Sequence, residues 1–385
     1  YEGMVNMKYI FATHIVIIIF PITLFLINKL NNIDFAKKLN IYYKSPIIDK
    51  QPSSEFFILF YIVLGLTLTV TFIYLFKLDI IPLNYLISSL TTDINAQELA
   101  RLREASTTTF NIGKFHRYKY FMSQLLPFLV ILSIYKTKLS KSNIWYALAI
   151  LLVLFSLYRF ASDLQKKPIL DFIVLLFLSS WIFRGKVNWK QLSILFSLIF
   201  FLLAIMYYYI MGMSSRTLLV MIDAIITRIM LSQTMSLYHY FTLFPEAHDF
   251  LYGLSLPNPA GIFPYEHFPL TKWVFINGLN NSWEIVGTAP SAFIGEIYAN
   301  FGYSIMIISI VVLACILHVI QIKFIERERT ILITAFYSYF VYLSSQFALT
   351  SGFVVVHLYL FIFLLVAIFF KDGYKIINSI ISHEK

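Results

Sequence analysis

Residues 287–302 read GTAPSAFIGEIYANFG, and an apolar run over residues 303–322 follows without a break. Pro290 and Ser291 are residue types that favour the start of a helix, and Gly302 is a type that commonly ends one. A helix of roughly 20 apolar residues is long enough to cross a bilayer, and the run after Gly302 meets that requirement. The stretch therefore predicts a short helix that leads from a polar segment directly into a membrane span.

The composition of the whole chain is typical of a membrane protein. Of its 385 residues, 59% are hydrophobic and 13% are charged, and the mean hydropathy is +0.76. We therefore expect an all-α polytopic integral membrane protein with about 9–11 transmembrane helices, folded as a single membrane domain over residues 1–385. The predicted spans are residues 9–27, 56–76, 120–135, 144–161, 169–183, 192–211, 303–322, 331–349 and 353–370.

Four further features of the sequence bear on the kind of membrane protein that it encodes. Residues 8–27 lack a small-residue cleavage site after their apolar run, so we expect a span there and not a signal peptide. The chain begins at Tyr1 and not at Met, and we expect further residues upstream. The only cysteine, Cys315, excludes an intramolecular disulfide. The formal charge of +10 comes mainly from Lys and Arg in short loops, which argues against a nucleic-acid partner.

The distribution of basic residues predicts which loops face the cytoplasm. Seventeen of the 30 Lys and Arg residues fall in 65 positions that we assign to the cytoplasm, namely residues 28–55, 136–143, 184–190, 323–329 and 371–385. The other 13 are spread over 151 positions, namely residues 1–8, 77–119, 159–167 and 212–302. Because cytoplasmic loops are enriched in Lys and Arg, residues 77–119 and 212–302 are expected to form outer loops.

The outer loop of residues 212–302 is the longest polar interruption in the chain. Loops of this length are usually functional or disordered, and the abundance of Phe, Tyr, Trp and Leu argues against disorder. We therefore expect the candidate active site here. Residues 217–232 carry Asp223 and Arg228, which favours a tilted or interfacial helix over a lipid-facing span. In the shorter outer loop, residues 95–104 predict a polar helix.

Four arginines of the outer loops are candidates for binding an anionic group. Arg216 and Arg228 lie in the longer loop, and Arg101 and Arg103 lie in the shorter one. The planar guanidinium suits phosphate and pyrophosphate oxygens, and charge at membrane depth is rare unless it is functional or paired. Two other interpretations stay open: Asp223 neutralises Arg228, or the arginines contact lipid headgroups.

Acid–base candidates also lie in the longer loop. Glu296 shares a helix face with small residues, and both structural pairing and catalysis are open for it. Glu266 and His267 are further candidates for a general base. The segment PEAHD lacks the ligand spacing of a zinc site, so no metal site is expected.

Three segments resemble one family of bacterial membrane enzymes. They are TAPSAFIGEIYANFG (residues 288–302), SSRTLLVMIDAIITRIMLSQTMSLYHYFTLFP (residues 214–245) and GKFHRYKYFMSQLLPFLVI (residues 113–131). In these segments the chain resembles the repeat-unit polymerases of bacterial O-antigen and capsular polysaccharide. The likeness covers most of the chain in the layout of spans and loops, and about a fifth of it in motifs. The nine predicted spans are fewer than many members of that family have.

The resemblance implies an integral-membrane glycosyltransferase of GT-C-like architecture in the bacterial inner (cytoplasmic) membrane. Its substrates would be undecaprenyl-pyrophosphate oligosaccharides, and its partners would include the lipid bilayer, a chain-length regulator and a flippase. A growing glycan would pass from one lipid carrier to the terminal sugar of a repeat unit on another, with no cofactor. The sequence agrees in two respects: it contains no Asp-x-Asp triplet, and its predicted cytoplasmic loops are too short for a nucleotide-binding domain.

Two other functions remain open from the sequence alone. An O-antigen ligase, which transfers a finished glycan to a lipid A core, would share the layout and the arginine chemistry. A lipid-linked oligosaccharide flippase or other transporter would place charges inside several spans and have short loops. Here charge is concentrated in two outer loops, which favours an enzyme.

Overall fold

A computed structural model describes residues 2–48, 54–88, 96–108, 121–209, 218–256, 258, 264–278 and 287–348. In this part of the chain the regular secondary structure is helical, and the one β contact is an isolated bridge between Ile48 and Thr330. The helices are α1 Glu2–Leu30, α2 Phe35–Lys44, α3 Ser54–Lys77, α4 Pro82–Ser88, α5 Ala96–Thr108, α6 Leu126–Ser140, α7 Asn143–Ser162, α8 Lys166–Arg184, α9 Trp189–Tyr209, α10 Leu218–Leu243, α11 Leu270–Gly278, α12 Phe293–Ile325 and α13 Ile331–Gln346.

Five helices in the described ranges are long and apolar enough to cross a membrane. They coincide with the spans predicted at residues 9–27, 56–76, 144–161, 192–211 and 303–322. Their bounds are Met7–Leu30, Phe60–Lys77, Asn143–Ser162, Trp189–Tyr208 and Phe293–Ile325. The all-helical fold is therefore confirmed for the described residues, and the five helices are compatible with a membrane protein.

The other four predicted spans are not among these five helices. Residues 120–135, 169–183 and 331–349 correspond to α6, α8 and α13, which are not among the five. α6 and α13 have only 15 and 16 residues, although a π-helical turn at Phe121–Leu125 precedes α6 directly. α8 carries charged residues at both ends. The predicted span at residues 353–370 lies outside the described residues.

The break predicted at Gly302 is present. Its backbone has φ 73° and ψ −169°, so α12 consists of a first helix up to Phe301 and a longer helix after Gly302. This combination of angles is essentially open only to glycine. A Cβ atom at Gly302 would also lie 3.4 Å from the ring of Phe250. The first stretch of sequence therefore folds as expected, into a short helix that leads into a span.

The described chain forms two compact units, each assembled from separate parts of the sequence. The first unit comprises Tyr1–Phe35, Arg228–Lys323 and Phe340–Lys385. Its core is rich in aromatic residues, with Tyr240, Phe241, Phe244 and Tyr298 buried at its centre. The rings of Phe241 and Tyr298 lie 4.3 Å apart. This core supports the outer-loop residues 244–256 and the first helix of α12.

The second unit comprises Ala36–Thr227 and Phe324–Tyr339. Arg329 is 5% exposed. It donates hydrogen bonds to backbone carbonyls at the ends of two helices in this unit. Its Nη1 donates hydrogen bonds to the carbonyls of Tyr43 and Ser45, and its Nη2 donates to those of Ile182 and Phe183. These carbonyls lie at the carboxyl ends of α2 and α8, where backbone acceptors lack helical partners. A buried guanidinium satisfies them and complements the negative helix ends.

Candidate functional site

Of the four predicted arginines, the structure describes the side chains of Arg101 and Arg103. Arg216 lies outside the described residues, and Arg228 lies on α10. Arg101 and Arg103 lie on α5, whose bounds Ala96–Thr108 match the polar helix predicted at residues 95–104. The side chain of Arg101 is 81% exposed, with Nη1 3.7 Å from a carboxylate oxygen of Glu98. Exposed pairs of this kind contribute little to stability, and Arg101 is an exposed surface charge.

Arg103, like Arg159 and Arg329, has a buried Nε–H donor without a partner among the described residues. Its side chain is half-buried, and its buried Nε has no hydrogen-bond acceptor among the residues that the structure describes. Burial lowers the pKa of Arg103 below its ordinary value. A buried donor without an acceptor is costly, and more so when it carries charge. Binding of an anion would satisfy this guanidinium.

A buried polar network anchors the carboxyl end of α5. The hydroxyl of Tyr74 lies 2.9 Å from the carbonyl of Ser106 and 2.8 Å from Oδ1 of Asp163. Nη1 of Arg159 donates to Oδ2 of Asp163 at 2.9 Å. The guanidinium also lies over the ring of Tyr74, 4.1 Å from its centroid. Sequence reasoning missed this network, although the four-residue spacing of Arg159 and Asp163 at the end of a span was a usable signal.

Glu296 lies on the first helix of α12 and is 6% exposed. The close approach predicted from its small neighbours is present, because a Cβ on Gly295 would lie 2.8 Å from Cδ1 of Leu237. Glu296 is also engaged in interactions within the protein. Both readings of this carboxylate, structural pairing and catalysis, are compatible with its buried position.

Asn300 connects residues 252–255 to the first helix of α12 by hydrogen bonds. Its side-chain amide donates to Oγ of Ser255 and to the carbonyl of Glu296, both at 2.7 Å, and its Oδ1 accepts from the amide of Gly253 at 3.0 Å. The backbone amide of Tyr252 donates to the carbonyl of Asn300 at 2.8 Å. These bonds fix the loop next to the helix that carries Glu296.

The predicted pair Glu266 and His267 is on the surface. Both side chains are exposed, and Nδ1 of His267 lies 3.2 Å from the carbonyl of Leu256. Nothing in the described surroundings orients the carboxylate of Glu266. The structure therefore does not bring these two residues together with Glu296 into a common cluster of contacts.

A histidine that was not selected from the sequence is more closely surrounded. The ring of His248 lies 5.7 Å from that of Phe244, 5.1 Å from that of Phe268 and 5.3 Å from that of Trp273. Its Nδ1 lies 2.7 Å from the carbonyl oxygen of Asp249. The sequence offered only the presence of a histidine in the loop, because the contacts with Phe268 and Trp273 depend on how the loop folds back.

The turn that carries His248 is fixed on both sides. The hydroxyl of Tyr298 donates to the carbonyl of Phe244 at 3.1 Å, and the amide of Leu251 donates to the carbonyl of Ala299 at 3.0 Å. Glu246 forms an ion pair with Lys8 at the start of α1. Residues 244–251 of the first unit thus hold an oriented imidazole in a turn that is hydrogen-bonded to the first helix of α12.

Within the described ranges, no group of three or more His, Cys, Asp or Glu side chains is arranged to hold a metal ion. The described candidates for chemistry are a half-buried guanidinium, Arg103, in the second unit, and a buried carboxylate, Glu296, and an oriented imidazole, His248, in the first. Such groups can bind an anion and transfer a proton. Comparison with protein-family models, with curated protein sequences and with solved structures finds no match to this chain.

Proposed function

We propose that this protein is a membrane glycosyltransferase that polymerises undecaprenyl-pyrophosphate-linked oligosaccharide repeat units into O-antigen or capsular polysaccharide. The observation that carries the proposal is the half-buried Arg103, whose buried Nε has no acceptor among the described residues. It lies in a loop that the sequence assigns to the outer side of the bacterial cytoplasmic membrane. A pyrophosphate anchored in the outer leaflet is an anion that a guanidinium at this position suits.

The chemistry of the substrate explains why arginine is needed. A pyrophosphate carries several oxygens in a fixed arrangement, and a guanidinium can donate two parallel hydrogen bonds to them. Its charge is permanent, so binding does not depend on a protonation step. We assign one lipid-linked pyrophosphate to Arg103, with Arg101 as a surface charge that attracts the anion. Arg216 and Arg228 are proposed to bind the other pyrophosphate and to stabilise its charge as it leaves.

Contacts within each unit support the multi-pass arrangement. The ion pair of Lys38 with Glu326 joins two segments that the basic-residue count assigns to the cytoplasm. The ion pair of Lys8 with Glu246 joins two segments assigned to the outer side. The hydrogen bond from the amide of Phe293 to the carbonyl of Phe347 joins a residue of the longer predicted outer loop to the outer end of the predicted span at residues 331–349. Contacts between residues assigned to opposite sides would have argued against the arrangement.

The proposed reaction joins two substrates of the same kind. The terminal hydroxyl of one repeat unit attacks the anomeric carbon of the glycan on the other carrier, and undecaprenyl pyrophosphate leaves. A general base must accept the hydroxyl proton, and Glu296, Glu266 and His267 are the candidates from sequence. Neither a nucleotide sugar nor a cofactor is required, because the donor carries its own leaving group.

The test compares Arg103→Lys with Arg184→Lys in purified protein given lipid-linked repeat units. Lysine keeps the charge but not the planar set of donors, so Arg103→Lys should slow polymerisation by roughly 30-fold to 1000-fold. Arg184 is exposed at the end of α8, in a segment that is predicted to face the cytoplasm. Arg184→Lys should therefore retain the wild-type rate. Equal rates for wild type and Arg103→Lys, at equal abundance, would contradict the assignment of Arg103.

A further inference from the structure

We propose that His248 is the general base that accepts the proton of the acceptor hydroxyl. This inference rests on the proposed glycosyl transfer and adds to it a residue that the sequence did not select. A base for this step needs a free lone pair, a fixed orientation and access to the substrate. His248 meets these three requirements in the described part of the first unit.

The hydrogen bond of His248 sets its tautomer. A backbone carbonyl can only accept, so the 2.7 Å contact between Nδ1 and the oxygen of Asp249 requires the proton to be on Nδ1. In the neutral ring, Nε2 then carries the lone pair. Among the described residues no group donates a hydrogen bond to Nε2 of His248. The nitrogen that can accept a proton is therefore free to receive it from a substrate.

Aromatic rings fix the plane of the imidazole. Phe244, Phe268 and Trp273 surround it at centroid distances of 5.1 to 5.7 Å. The rings leave His248 partly exposed, so an outer-face substrate can reach it. Packing of this kind holds a catalytic side chain in one orientation, which general-base catalysis requires.

The other candidates lack one of these properties. Glu296 is 6% exposed and already engaged within the protein. Glu266 and His267 are exposed, and the contact of His267 with a carbonyl is longer, at 3.2 Å. His14 has a similar bond, with Nδ1 2.7 Å from the carbonyl of Ile10, but it lies on the exposed surface of a predicted span.

The oxygen of the acceptor hydroxyl forms a bond to the anomeric carbon of the donor sugar while its proton moves to Nε2 of His248. The bond between the anomeric carbon and the pyrophosphate oxygen breaks, and its electron pair leaves with undecaprenyl pyrophosphate. The imidazolium then returns its proton to solvent, which restores the neutral base.

The experiment compares His248→Phe with His14→Phe in purified protein given lipid-linked repeat units. Phenylalanine preserves a ring among the three aromatic neighbours but removes the lone pair. Because a positioned general base contributes roughly 100-fold to 10,000-fold, His248→Phe should lower the polymerisation rate by at least about 100-fold. His14→Phe should retain the wild-type rate. A His248→Phe rate within a few-fold of wild type, at equal abundance, would refute the proposal.

A second variant, His248→Gly, distinguishes a role of His248 in proton transfer from a role in packing. Added imidazole should restore activity to His248→Gly, and 4-methylimidazole, a stronger base, should restore it further, because proton transfer depends on basicity. Rescue that does not follow basicity, or no rescue in a folded variant, would indicate a structural role and overturn the proposal. If wild-type protein itself fails to polymerise, the proposed function fails; if only the His248 results fail, the base is another residue.

Discussion

The backbone amide of Gly253 donates a hydrogen bond to Oδ1 of Asn300 at 3.0 Å. This contact joins the segment around Gly253 to the helix that carries both Glu296 and Asn300. Asn300 is fully buried. The same side chain also donates to Ser255 and to the carbonyl of Glu296. One amide therefore satisfies three polar groups, and the position of the loop depends on it.

Replacing this amide by an isosteric apolar side chain should be strongly destabilising. Asn300→Leu leaves buried donors and acceptors unpaired, and each such group costs about 1–3 kcal/mol. We expect a loss on the order of 3 kcal/mol in the free energy of unfolding, measured by thermal unfolding in detergent. Asn277→Leu is the control, because Asn277 is exposed and bonds only within its own helix. Equal stability of the two variants would argue against the role of Asn300.

Gly302 should not tolerate a side chain. Its φ of 73° and ψ of −169° lie in a region that costs other residues about 1–3 kcal/mol, so Gly302→Ala should lower the unfolding temperature. Gly65 lies within α3, and a Cβ there would meet nothing within 4 Å. Gly65→Ala should therefore be neutral or stabilising, by up to about 1 kcal/mol. Similar destabilisation of both variants would show that glycine loss as such, and not the backbone at Gly302, is responsible.

Breaking the buried ion pair of Arg159 and Asp163 should lower the free energy of unfolding more than breaking an exposed ion pair does. Asp163→Asn leaves Arg159 without its counter-charge, and breaking a buried pair costs about 3–5 kcal/mol. Glu326→Gln breaks the exposed pair with Lys38, whose side chains are 38% and 41% exposed, and should cost at most about 1 kcal/mol. Unfolding temperatures of the two variants check this. A small effect of Asp163→Asn would mean that water reaches the pair.

His239 should make the stability of the first unit depend on pH. Burial lowers the pKa of His239 below the ordinary value of 6.5, and a Cβ on Gly278 would lie 2.7 Å from its Cγ. As pH falls through about 6.5, the unfolded chain binds the proton before the folded protein does. The free energy of unfolding therefore decreases on acidification, until the folded pKa is reached.

The measurement for His239 compares unfolding temperatures of wild type and His239→Gln between about pH 8 and about pH 5. The wild type should lose more stability on acidification than the variant, because glutamine does not titrate. A parallel decrease in both proteins would place the titrating group elsewhere.

Local signals in the sequence predicted much of the fold. The helix ending at Gly302 followed from proline, serine and glycine at its ends, and α5 followed from its polar helix formers. α10 was underestimated: residues 217–232 were expected to be helical, and the helix extends to Leu243. Two of the aromatic residues near its end, Tyr240 and Phe241, are buried in the core of the first unit.

The candidate site was less predictable, because its contacts join distant parts of the chain. The burial of Glu296 followed from its small neighbours on one helix face. In contrast, the surroundings of His248 depend on the turn that brings Phe268 and Trp273 against it. The surroundings of the Nε of Arg103, which has no acceptor among the described residues, also depend on packing between elements. The sequence of α5 alone does not determine that packing.

The most direct test of polymerisation uses purified protein, lipid-linked repeat units and EDTA. The chelator is included because the sequence lacks metal-ligand spacing and an Asp-x-Asp triplet. We expect a ladder of glycans that differ by one repeat unit and remain attached to the lipid carrier, seen by gel electrophoresis. Unchanged single repeat units, with extension absent even when divalent ions are restored, or transfer only to a lipid A core acceptor, would contradict the proposed polymerase.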